Sequence, residues 1–86
     1  MRVRAVTAHD ELHRDGESLV LVDGQVHRVS ALGTLIRSLA RGGASVEELA
    51  LALEEEFGRP PEGTTLDLTA GAVETLLEVG LLAPEE

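Results

Sequence analysis

Leucine and valine alternate with polar residues near the start of the chain, then recur every three or four positions to its end. The alternation is clearest in residues 19–30, LVLVDGQVHRVS. Asp-Gly between two such runs is a strong hairpin signal, because a tight primed turn needs residues that accept positive φ. Two strands are expected, residues 18–22 and 25–29, joined at Asp23-Gly24. In the first, Leu19 and Leu21 share one face and Val20 and Val22 the other, so both faces are expected to be covered at least in part. In the second, Gln25, His27 and Val29 oppose Val26 and Arg28. Its more polar character places it at the edge, with the first strand central. Residues 3–7 alternate weakly and offer at most a short edge strand, and residues 14–17 form a turn.

Three helices follow. Ser30 precedes Leu32, Leu35, Ile36 and Leu39, an i, i+3, i+4, i+7 stripe read as one buried face, with Arg37 and Arg41 as solvated charges in the later turns. Gly42-Gly43 ends this helix, and Ser45 and Glu48 announce the next through the S-x-x-E capping pattern. Its inner face reads Val46, Leu49, Ala50, Leu53 and Phe57, and Gly58 stops it. Residues 59–65 are a proline-containing loop, and the last helix is expected from about Leu66 to Val79, capped by Gly80. It carries two apolar stripes, Leu66, Ala70, Val73 and Leu77 beside Thr69, Ala72, Leu76 and Val79. Such a wide surface fits either a central helix or a helix that also lines a groove beside the edge strand. Leu81-Leu82 are expected to fold back before the acidic tail.

Composition narrows the function classes. Eighty-six residues suffice for one small domain, and no apolar run approaches the roughly 18 residues of a membrane span. The start, Met1-Arg2-Val3-Arg4-Ala5, lacks the continuous apolar region of a secretory signal, and a cytoplasmic protein is expected. Cysteine is absent, which removes disulfides, thiolate metal sites and cysteine nucleophiles. The net charge of -9 argues against a phosphate-backbone partner, and all seven basic residues are scattered arginines. Phe57 is the sole aromatic residue, which leaves no stacking platform for bases.

Candidate chemistry is thin. His9 and His13 stand four apart with acids between, as in zinc proteases, but the position of the general-base glutamate holds Asp10 and Asp15-Gly16 closes the segment too soon for a long helix. The letters HDEL at 9–12 match a retention signal that is read only at a C-terminus. A carrier-protein serine at Ser18 would have to begin a helix, whereas strand-forming residues follow it. Glu54, Glu55 and Glu56 splay over about 200° of a helix and cannot converge on one ion. No catalytic residues, metal site or cofactor are therefore expected.

A weak strand, a hairpin and three helices make an α+β domain with the sheet first. This order, with GQVHRVS, ASVEELALALEEEFG and LLEVGLL at their intervals, resembles the PqqD-like family of RiPP recognition elements over about residues 18–82. The family's T/S-V-x-E-L helix start is matched by Ser45-Val46-Glu47-Glu48-Leu49, whereas His27 and Ser30 stand where the family often has an aromatic residue and an Asn. The resemblance implies a winged-helix-like fold with a short N-terminal antiparallel sheet of up to three strands, in a single domain over residues 1–86 with its core at about 3–82. It also implies a non-catalytic protein that binds the leader segment of a ribosomal precursor peptide by strand addition. The leader would then be presented to a modifying enzyme, a protease or cyclase, as stand-alone members do in lasso-peptide pathways. Carried over, the pairing strand is Gln25, Val26, His27, Arg28 and Val29, and the cleft wall is Leu68, Ala72, Val73, Leu76 and Leu77. His27 and Arg28 are the basic groups that could meet an acidic leader residue, and proline at either Val26 or His27 is expected to abolish binding wherever the ladder uses that N–H. No nucleic acid or membrane is expected as a partner. The alternative is a winged-helix DNA binder or another small protein-interaction module, but the last helix offers Asp67, Glu74 and Glu78 and no Lys or Arg.

Overall fold

The computed structural model describes residues 1–85, an α+β arrangement of two three-stranded antiparallel sheets and three helices. In chain order the elements are β1 (Arg2–Ala5), β2 (Asp10–Arg14), β3 (Glu17–Val22), β4 (Gln25–Val29), α1 (Ala31–Leu39), β5 (Ala44–Ser45), α2 (Val46–Phe57), α3 (Thr65–Glu78) and β6 (Leu82–Glu85). One sheet has the order β2-β3-β4 and the other β5-β1-β6. The first is a meander made by two two-residue turns, Asp15-Gly16 and Asp23-Gly24. Both residues of each turn have positive φ, 55° and 82° in one and 51° and 76° in the other, so the strands keep their right-handed twist through the reversal. The hairpin read from the sequence thus forms with β3 central and β4 at an edge.

Six strands replace the expected three at most, because the second sheet joins segments far apart in the chain. β1 lies between β5 and β6, pairing Arg2 with both Ser45 and Glu85. Its Val3 is fully buried, so this strand is a core element rather than a weak edge. The fold-back of Leu81-Leu82 is a buried entry into β6, and the last acidic residue, Glu86, lies outside the described residues.

Each helix starts on a hydroxyl cap. Ser30 accepts from the Gly33 N–H at 3.3 Å, Ser45 from the Glu48 N–H at 3.0 Å and Thr64 from the Asp67 N–H at 3.1 Å. One core cluster unites Val20 of β3, Ile36 of α1, Leu49 of α2, Val73 of α3 and Leu82 of β6. Two readings of helix faces need correction. The buried line of α1 runs through Gly33, Ile36, Arg37 and Ala40, while Leu32 and Leu35 are half-buried and Leu39 is exposed. The line is rotated because the segment after β1 covers the Arg37 side of the helix, which no local apolar pattern records. Phe57 is exposed, since the inner face of α2 ends at Leu53.

Arg37 is therefore a buried cation, not a solvated one. Its guanidinium donates to the Leu81 carbonyl from Nε at 3.3 Å, to the Val6 carbonyl at 2.6 Å and to the Glu11 carboxylate. One side chain so ties α1 to the segment after β1, to β2 and to the turn before β6. Partial burial pushes the Glu11 carboxyl upward, but hydrogen bonds from Arg37 and His13 outweigh it and hold the group below its ordinary value of 4.5. A carboxyl depressed in the folded state binds protons more readily when unfolded. Its contribution to stability is complete above about pH 4.5 and disappears as pH falls through the lower folded value. Urea unfolding from pH 6 to 3 is expected to show a shallower loss of stability for Glu11→Gln than for the wild type. An equal slope would remove Glu11 from the acid transition.

Candidate functional site: the β4 edge and its groove

The register of the hairpin decides which backbone groups of β4 are free. Val22 pairs with Gln25, Leu21 with Val26, Val20 with His27, Leu19 with Arg28 and Ser18 with Val29. Across a two-residue turn the flanking pair is hydrogen-bonded, and bonded pairs alternate from there. Gln25, His27 and Val29 thus turn their N–H and C=O toward β3. Val26 and Arg28 turn theirs outward, where no strand among the described residues meets them.

A groove of about 550 Å³ runs beside this edge. One wall is β4 from Val26 to Val29, and the other is α3, through Ala72, Thr75, Leu76 and Val79. The start of α1, Ser30, Leu32 and Gly33, together with Leu81, completes the lining. Gly33 lets α1 approach closely, since a Cβ there would stand 2.8 Å from Val29 Cγ1. Ala72 leaves width between the helix and the strand. The side chains of β4 divide across the sheet. Buried Val29 and half-buried His27 face inward, while Val26 and Arg28 lie on the outer face.

Six of the ten residues expected from the sequence come together at this groove, namely Val26, His27, Arg28, Val29, Ala72 and Leu76. The other four lie apart from it. Gln25 sits at the turn, Leu68 is exposed one helical turn before Ala72, Val73 is a core residue with 1% exposure, and Leu77 packs half-buried against the core. Thr75 and the α1 residues were not foreseen. Thr75 lies at i+3 from Ala72 on the same face, so helical position rather than apolarity marks it. Thr69, on the second apolar stripe, is fully buried and bonds the Thr65 carbonyl at 2.7 Å, so it shapes α3 and not the groove.

The outer face of the β2-β3-β4 sheet is uncovered, contrary to expectation. Leu12 pairs with Leu19 and Leu21 with Val26, and three of these side chains are exposed, Leu12 at 65%, Val26 at 65% and Leu19 at 42%. The histidines near the sheet do not form a metal centre. His13 Nε2 lies 3.0 Å from Glu11, and His9 stands outside β2, at the bend that precedes the strand. Among the described residues no group of three His, Asp or Glu side chains converges, and no helix is long and apolar enough to cross a membrane. Comparison with family models, with curated proteins and with solved structures gives no match.

Proposed function

We propose that this chain is a non-catalytic peptide-binding module of the PqqD-like type. It holds the leader segment of a ribosomal precursor peptide as an added strand on β4 and presents it to a modifying protease or cyclase in the cytoplasm. The observation that carries this reading is the coincidence of an unpaired strand edge with an apolar groove. The outward N–H and C=O groups of Val26 and Arg28 supply main-chain pairing, and the wall of Ala72, Leu76 and Val79 accepts the side chains of that same strand. An edge alone would be an aggregation liability, and a groove alone would accept many shapes. Together they select an extended peptide.

The test is a titration of the precursor encoded beside the gene. Saturable one-to-one binding at micromolar concentration or below is expected, and absence of binding at tens of micromolar sinks the proposal. Ala72→Trp fills the groove from a half-buried helix position. It is expected to weaken leader binding at least about 10-fold while leaving the thermal midpoint nearly unchanged. Unaltered affinity would move the peptide out of the groove.

A further inference from the structure

We infer that the peptide recognised at β4 carries a carboxylate opposite Arg28, two positions from an apolar residue opposite Val26, with an apolar residue between them seated in the groove. This inference rests on the strand-addition reading and specifies its substrate. A strand added to β4 forms its bonded pairs with Val26 and Arg28, because those are the residues with outward backbone groups. Its side chains at these two positions stand on the outer face of the sheet, beside Val26 and Arg28. The residue between them points inward past His27 toward Ala72 and Leu76.

The surroundings of the two outer positions differ. Opposite Val26 the incoming side chain continues a row that already contains Leu21, and an apolar group there covers exposed hydrocarbon. Opposite Arg28 it meets a guanidinium whose side chain is 83% exposed and whose one ion-pair partner among the described residues is Glu17, at 3.6 Å. The chain has 16 acidic residues and 7 arginines, yet among the described residues no carboxylate lines the groove and Arg28 is the one arginine that does. An acidic protein with an acid-free groove and one poorly paired cation at its rim is complementary to a negative side chain at that rim. His27 is not the acid's partner, since it faces inward, against Val20 in the ladder.

The experiment is selection of random 12-residue peptides displayed on their encoding RNA against four proteins, the wild type, Arg28→Glu, Glu17→Gln and Val26→Pro. Wild type is expected to enrich peptides with Asp or Glu two positions from an apolar residue. Arg28→Glu should exchange that acid for Lys or Arg and bind the wild-type winners about 5- to 10-fold more weakly, an effect that shrinks in high salt. Glu17→Gln should hold the same winners at least as tightly, because a competing carboxylate has been removed. If wild type enriches apolar extended peptides without an acid, or Arg28→Glu keeps the same winners, the acid position is overturned while edge binding survives. If Val26→Pro enriches the wild-type winners, or wild type enriches nothing, strand addition itself fails and the acid position fails with it.

Discussion

Arg37→Met is expected to destabilise the fold by about 3 kcal/mol, lowering the thermal midpoint by roughly 12–24 °C. The loss arises less from the missing bonds than from what they leave behind. The Leu81 carbonyl still accepts the Val6 N–H at 3.1 Å. The Val6 carbonyl loses its side-chain donor and the Glu11 carboxylate keeps only the exposed His13 at 3.0 Å, on a side chain that is only 23% exposed. Removing one partner of a buried pair typically costs about 3–5 kcal/mol, and the partial exposure of Glu11 places this case at the lower end. Lysine is no substitute, since one ammonium cannot reproduce a planar fork aimed at three separate acceptors. A double-mutant cycle separates the causes. If the stranded carboxylate dominates, Arg37→Met with Glu11→Met should recover part of the loss. A double variant as unstable as the sum of the singles would show that the tie to Val6 and Leu81 carries the effect, and a single-variant loss below about 1 kcal/mol would contradict the burial argument altogether.

Val26→Pro is expected to weaken peptide binding about 10- to 100-fold in a folded protein, whereas His27→Pro is expected to disrupt the hairpin itself. The two positions are adjacent, but their N–H groups point in opposite directions. At His27 the N–H faces Val20, so proline removes a ladder bond between β3 and β4 and strains the sheet. At Val26 the N–H faces outward, and edge strands tolerate proline there. The peptide then meets a ring where it needs a donor, and one of its carbonyls is left unpaired, a loss of about 10- to 100-fold in affinity. Circular dichroism reports the fold and the leader titration reports the binding. Val26→Pro that binds as tightly as wild type would place the peptide elsewhere. The equal treatment of Val26 and His27 by sequence reasoning is refined by the register, which only the turn geometry supplies.

What the sequence disclosed was local. Asp23-Gly24 dictated its own turn, Ser30 and Ser45 their own caps, and the span of α3 was legible to within a residue at each end. What it hid was non-local. Nothing near Val3 signals that residues 82–85 will pair with it, and nothing in the pattern around Arg37 signals that a strand-to-strand segment will cover it. Glu11 and His13 disguised β2, because a strand exposed on much of its surface has too few apolar side chains to announce its period. The groove was half legible for the same reason. Its strand wall and Ala72 with Leu76 follow from local pattern, but Gly33, Leu32 and Leu81 reach it through packing between elements.

The pairing of Arg2 with Glu85 brings the two ends of the described chain side by side in one sheet, fastened by Arg2 and Arg4 gripping the Glu85 carboxylate at 3.2 and 2.7 Å. A short linker could therefore join them into a ring, with new ends opened at the exposed loop around Gly63, and every strand and helix would keep its place. The same closeness means that any second module fused to either end would hang from the same spot on the surface. Swapping a fusion from front to back would change its order in the gene far more than its position in space.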